Sequence, residues 1–214
     1  MIGDYIRDPE EIYARSFAVI RAEADLSGVP PELEEVVVRM VHACGMVDIV
    51  PEIRWSEDVA AQIEFALVGG APVLCDSEMV KAGISPKYLP RKTELVVTIN
   101  DAEVAGLARK LGTTRSAAAV ELWRPRLKGA LVVIGNAPTA LFRLLELLDQ
   151  GADKPAAIIA TPVGFVGAEE SKAQLALDIH NVPFLTLLGR RGGSAIASAA
   201  VNAVARNMEE NIRE

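Results

Sequence analysis

Two rhythms of apolar positions divide this chain. Up to Val68 apolar residues recur every three or four places, the spacing of one helix face; beyond Ala71, short apolar runs alternate with helical segments. The first rhythm predicts a helix over 8–25, with Asp8 at the N-cap, Pro9 at the first helical position and Glu11 two further on. Its apolar stripe is Ile12, Val19 and Ile20, flanked by Tyr13 and Phe17. A second helix runs from Pro30 to about Cys44, with Glu32, Glu34 and Glu35 in its acidic start and Gly45 as its stop. A third covers Glu57 to Val68. The second rhythm consists of "PVLCD", "ELVVTIN", "ALVVIGN", "AAIIATP" and "VPFLTLLG". Each is short, rich in β-branched residues or leucine, and closed by polar or glycine punctuation, as buried parallel strands are. The expected fold is α/β: a three-layer α/β/α, Rossmann-like arrangement around a mainly parallel five-stranded sheet. The tail "GGSAIASAAVNAVARNMEEN" reads as a helix with small residues on most faces, suited to close packing; Ala195, Ala199, Ala200 and Ala203 also offer a place for two chains to meet.

Composition narrows this picture. A chain of 214 residues that is 50% hydrophobic is sized for one α/β domain, expected to span residues 1–214. The start, MIGDYIRDPEE, mixes charges of both signs, and no apolar stretch approaches roughly 18 residues. No membrane association is expected, and the reading is cytoplasmic. Cys44 and Cys75 are the only cysteines, too few for a disulfide framework or zinc cluster, so no metal is expected. A formal net charge of −7 argues against nucleic acid, which needs a basic stripe. Any anionic ligand must be held by a locally basic pocket.

Candidate chemistry starts at "MVHACGM". At about 100° per residue, Leu33, Val36, Val37, Met40, Val41 and Cys44 gather into one stripe, while His42 points to the other side near Val38 and Arg39. Cys44 lies about 160° from it, so the two cannot share a metal or act as nucleophile and base. His42 is then a surface or a cleft histidine, and an imidazole can donate a proton near neutral pH. The second signal is the set of strand-to-helix junctions "CDSEM", "IGNAPTAL", "TPVGFVGAEESK" and "GRRGGSAIA". In a parallel sheet these meet at the carboxyl edge, where helix N-termini present N–H groups to anions. Asp76, Ser77, Asn136 and Thr139 each read singly as helix caps. Arg190 and Arg191, set between glycines, suit carboxylates or phosphates. Neither GxGxxG nor GxxxxGK[ST] is present, so a nucleotide site has little support.

Taken in order, "IRDPEEIYARSFAVIRAE", "RMVHACGMVDIV", "GNAPTAL", "PVGFVGAEESK" and "GRRGGSA" resemble the precorrin-8X methylmutase (precorrin isomerase) family over most of the chain. The resemblance implies an α/β homodimer of cobalamin biosynthesis. Its expected substrate is precorrin-8X or cobalt-precorrin-8, whose methyl group moves from carbon 11 to carbon 12 to give hydrogenobyrinate or the cobalt counterpart. The family's catalytic histidine falls on His42. Such an isomerisation needs no cofactor, and one proton donor to the macrocycle suffices. The substrate's acid arms would explain anion-binding loops in an acidic protein. Arg190, Arg191, Arg115 and Lys172 are the candidate cations. The backbone of Gly135, Asn136, Ala137, Pro138 and Thr139, that of Gly164, Phe165 and Val166, and Gly192 with Ser194 complete the expected cradle, alongside Asp76 and Ser77. Ser16 either bonds the carbonyl one turn back or touches substrate. Arg15 reads as a solvated charge, and His180 as a residue of a helix C-terminus. A non-catalytic tetrapyrrole carrier and a phosphate or nucleotide enzyme are the alternatives.

Overall fold

The computed structural model describes residues 5–213; the first four residues of the charged N-terminal stretch, and residue 214, lie outside them. Helix α1 (Pro9–Glu23) starts as its sequence dictates: the Asp8 carboxylate accepts the N–H groups of Glu10 and Glu11, meeting donors that a helix leaves unpaired. Helix α2 (Pro31–Cys44) ends at Gly45, whose φ of 70° is the left-handed conformation that glycine adopts without strain. A 3-10 turn (Val47–Glu52) leads into β1 (Ile53–Trp55), then α3 (Val59–Val68), β2 (Val73–Cys75), α4 (Glu78–Gly83) and β3 (Leu95–Val97). After α5 (Val104–Leu111) and α6 (Arg115–Glu121) come β4 (Leu131–Ile134), α7 (Pro138–Asp149), β5 (Ala157–Ala160), α8 (Ala168–Ala176), β6 (Phe184–Leu187) and α9 (Ser194–Arg213).

The sheet has six strands in the order β1-β6-β5-β4-β2-β3. The five strands expected from sequence are all present and mutually parallel. The sixth, β1, is an antiparallel edge strand with Ile53 opposite Leu187. Three residues, starting two places after Pro51, give too short an alternation to register as a strand. Along each central strand the side chains alternate between two cores. Val73, Cys75, Leu131, Val133, Ile159 and Leu185 join α2, α3 and α9 on one face. Leu74, Val132, Ile134, Ile158 and Phe184 join α7 and α8 on the other. Burial on both faces is why these strands read as unbroken apolar runs.

One expectation about a helix face is corrected, and one apolar stripe lies elsewhere than in the core. In α9, Ala200 and Ala203 are fully buried inside the chain, where small side chains let the helix lie close to α2 and the sheet. These two therefore cannot form a surface where chains meet, whereas Ala195 is exposed and Ala199 half-buried. In α1 the apolar stripe is not core: only Ile20 is buried, while Ile12, Tyr13 and Val19 are 44%, 53% and 45% exposed. The cause is its place in the stack. Helix α1 packs on α2, and α2 on α9, so α1 lies far from the sheet with one side uncovered. Two inter-helix ion pairs, Arg21 to Glu34 at 3.1 Å and to Glu35 at 2.7 Å, tie α1 to α2.

Candidate functional site

The topology brings the last turn of α2 to the carboxyl edge of the sheet. From Gly45 the chain passes through the 3-10 turn to Ile53, which pairs with the last residue of β6. Consequently the turn after α2 meets the loop after β6. Arg191 Nη1 donates to Asp48 Oδ2 at 2.7 Å and Nη2 donates to the Asp48 carbonyl at 3.2 Å.

His42 is exposed, but it faces a cleft. Helix α1 lies against its side of α2, and Val38, assigned by spacing to that outer side, is fully buried there. Ser16 Oγ and His42 Nδ1 are 2.9 Å apart. A hydroxyl can donate to an unprotonated Nδ1 or accept from Nδ1–H, so Ser16 suits both charge states of the ring and leaves Nε2 for a ligand. The Phe17 ring meets the imidazole edge-on at 5.2 Å between centroids and Tyr13 lies at 5.8 Å, fixing the ring's orientation. The Arg39 guanidinium sits over the Phe17 ring, 4.9 Å from its centroid, and is paired with Glu35 at 2.7 Å. The Arg39 charge is thus paired with a carboxylate of its own helix. Ile12, Arg15, Ser16, Val19 and Glu23 of α1, with Val41, His42 and Val47, line a cavity of about 390 Å³. No residue of the carboxyl-edge loops lines it.

Those loops are largely occupied with holding themselves. Strand order reverses between β2 and β4, the place where open α/β sheets bind ligands, and here a carboxylate of the protein fills it. Asp76 is buried and accepts N–H groups from Gly135 at 3.0 Å, Asn136 at 2.9 Å and Ala137 at 2.8 Å. Burial pushes its carboxyl above the usual carboxylate range, against the pull of those three bonds. Asp76 therefore holds the turn that leads into the neighbouring helix α7, which begins with Pro138, and caps neither that helix nor its own. Gly135, Asn136 and Ala137 have no backbone N–H left for a ligand, which corrects the place of their backbone in the expected cradle, while the Asn136 side chain stays exposed. Gly135 is needed for close approach, since a Cβ there would lie 2.7 Å from Ser194 Cα. Ser194 itself is buried at the start of α9. Ser77 is the N-cap of α4, accepting from Val80 N–H, and Thr139 shares a 2.8 Å hydrogen bond with Thr114.

The cations divide likewise. Lys172 is fully buried, and its Nζ donates to the Arg191 carbonyl at 2.6 Å. Burial pushes its ammonium down to about 8 from an ordinary 10.5. It cannot reach a ligand's carboxylate, so that expectation too is corrected: Lys172 holds the loop. Gly192 is squeezed against the Thr161 carbonyl, 2.2 Å from where a Cβ would sit, and Gly193 N–H donates to that same carbonyl at 2.7 Å. Arg115 donates to the Ile99 carbonyl at 2.9 Å. Arg190 is exposed with its guanidinium 5.7 Å from the Phe165 ring centroid, and it lines a second cavity with Arg191, Glu52 and Glu169. Gly164 N–H donates to the Arg190 carbonyl at 3.1 Å, leaving Phe165 and Val166 as an exposed apolar tip. His180 pairs with Asp149 at 2.8 Å, away from both cavities.

Sequence reasoning found Ser16 and His42 singly and missed their contact, along with the roles of Tyr13 and Phe17. The available signal was the pair of aromatics flanking Ser16 on a stripe too polar, with Arg15 and Ser16 interrupting it, to be simple core. Among the described residues no group of three metal-ligating side chains comes together, and no helix is long and apolar enough to cross a membrane.

Comparison with known proteins adds a family. Residues 11–207 match the family described as precorrin-8X methylmutase. The chain is 56% identical over 206 residues to the precorrin-8X methylmutase of Pseudomonas aeruginosa, covering 96% of this chain and 99% of that protein. It is 36% identical over 213 residues to the cobalt-precorrin-8 methylmutase of Salmonella typhimurium, covering 96% and 99%. A solved structure of the precorrin-8x methyl mutase from Thermus thermophilus aligns with a TM-score of 0.84 at 35% identity, over 94% of this chain and 97% of that one.

Proposed function

The chain belongs to the precorrin-8X methylmutase family, isomerases of cobalamin biosynthesis, and from this premise we propose that it moves the methyl group of precorrin-8X from carbon 11 to carbon 12 with His42 as proton donor. The observation that carries this reading is the Ser16–His42 pair at 2.9 Å in the cavity between α1 and α2. Nε2–H of His42 gives a proton, or a strong hydrogen bond, to a ring nitrogen of the macrocycle. This makes the conjugated system electron-poor and eases migration of the methyl group, after which the proton returns to Nε2. No atom is gained or lost, so the protein must supply only a donor, a fixed orientation and exclusion of water.

The substrate is the metal-free macrocycle, by the higher identity to the relative named for precorrin-8X than to the one named for cobalt-precorrin-8. The whole chain acts as one cytoplasmic methylmutase domain. It works as a homodimer: a cavity of about 390 Å³ is at the small end for drug-sized ligands and cannot enclose a macrocycle with its acid arms. The uncovered side of α1 is the face a second copy would close, and Arg190, with the apolar tip at Phe165 and Val166, is the loop contribution to the pocket.

The test is absorption spectroscopy with precorrin-8X, with and without cobalt. The wild type should convert the chromophore catalytically and prefer the metal-free form. His42→Asn and His42→Ala should lose at least about a hundredfold in turnover, the scale of a general acid. Both should still bind tetrapyrrole within about tenfold, because the lost interaction belongs to the transition state. A stoichiometric spectral shift without turnover would indicate a carrier, and near-normal turnover in both variants would remove His42 from the mechanism.

A further inference from the structure

Helices α1 and α2 carry three guanidinium groups, and two are committed to the scaffold. Arg21 is tied to Glu34 and Glu35, and Arg39 to Glu35. Arg15 is exposed and, among the described residues, no carboxylate or carbonyl engages it, although Glu11 stands one turn away on its own helix. It nonetheless lines the same cavity as Ser16 and His42. The cations expected to take the substrate's acid arms are absent from that cavity: Lys172 and Arg191 hold the loop after β6, Arg115 holds the one after β3, and Arg190 lines the second cavity beside Glu52 and Glu169. A ligand with several carboxylates that reaches His42 therefore meets a single arginine there.

We propose that Arg15 is a carboxylate anchor, gripping the acid arm of the substrate nearest the reacting edge and so orienting the macrocycle against His42. The assignment rests on the methylmutase reading above. Ile12 and Val19 lie one turn before and after Arg15 on the helix and line the same wall. An apolar floor under a guanidinium lowers the local dielectric and strengthens a bidentate ion pair with a carboxylate. At the other end of the cavity, two turns on, Glu23 repels an acid arm. The cavity is thereby polarised, positive beside Ser16 and negative beyond Ile20, and a polyanionic ring with arms of one charge sign enters it in one sense. Because the contact exists in ground and transition states alike, its loss raises KM more than it lowers kcat.

The experiment uses the full chain and two probes, hydrogenobyrinate and its peripheral methyl ester, titrated by absorbance into wild type, Arg15→Gln and Arg15→Lys over a range of salt. Expected for the acid are about tenfold weaker binding in Arg15→Gln with a shallower salt dependence, and partial recovery in Arg15→Lys, which keeps the charge but not the fork. The ester should bind all three proteins alike, and turnover of precorrin-8X by Arg15→Gln should show a raised KM with kcat within a few-fold of wild type. Arg15 is exposed, so the variants should unfold at the wild-type temperature. Equal affinity of wild type and Arg15→Gln for the acid at every salt concentration would overturn the assignment, as would an equal loss for acid and ester. These outcomes leave a catalytically active wild type intact. Failure of the function itself would instead show as a wild type that neither turns over precorrin-8X nor binds its product, and would overturn both.

Discussion

The helix pair α1–α2 and the carboxyl-edge loops use similar residue types to opposite ends. In the loops, charged and glycine-rich stretches are turned inward: Asp76 takes three N–H groups and Lys172 takes the Arg191 carbonyl. On the helix pair, Arg15, Ser16 and His42 surround open space. A motif that reads as an anion cradle can instead be one already filled by the protein's own carboxylate. The difference follows from burial, because a polar group cut off from water must find a partner within the chain. A group on an uncovered helix is under no such demand and stays available to a ligand.

The sharpest way to break this comparison is at Asp76. Asp76→Asn puts an amide donor against three N–H donors and removes the charge that strengthens those bonds. Stability should fall by roughly 3 kcal/mol or more, read as a lower midpoint in urea with an unchanged slope. If Asp76 instead served mainly a ligand, the midpoint would hold and only tetrapyrrole binding would change.

Next in size is the pH response of Lys172. Its folded-state pKa of about 8 lies below the ordinary 10.5 because burial disfavours the ammonium. Between those values the unfolded chain holds a proton that the folded chain has released, so unfolding takes up a proton and rising pH favours the folded state. Urea titrations from pH 7.5 to 10.5 should show wild type gaining up to about 3 kcal/mol relative to Lys172→Met. A constant difference between the two proteins across that range would mean that the ammonium is hydrated and the loop is held by other bonds.

Much of the fold was legible because buried parallel strands are apolar runs with clear punctuation, and because Asp8, Pro9 and Gly45 act through local chemistry alone. What escaped depends on contacts distant in sequence. Strand β1 exists through its pairing with β6, about 130 residues on by the register of Ile53 with Leu187. Asp76 looked like a cap for the helix beside it, yet its donors lie some sixty positions away. The side that His42 takes on α2 could be computed from helix geometry, whereas its partner could not, since Ser16 reaches it only through the packing of α1 on α2. Likewise, the exposure of the α1 stripe depends on which layer the helix occupies, a fact that periodicity does not carry.

The smallest expected effect tests whether the helix pair works as a unit. Ser16 acts on His42 and not on the scaffold, so Ser16→Ala should leave stability within about 0.5 kcal/mol, as surface changes do. It should lower kcat about tenfold, because the imidazole loses the partner that fixes its Nδ1 and hence the role of Nε2. Ser16→Thr keeps the hydroxyl and should retain most of the activity. The decisive comparison is made in the His42→Asn background, where there is no Nδ1 to orient, so that removing the hydroxyl should cost nothing further. A residue that contacts substrate on its own account would give independent, additive losses in the double variant. Non-additive kinetics with unchanged tetrapyrrole affinity would assign Ser16 to positioning His42; additive losses accompanied by weaker binding would move it into the same role as Arg15.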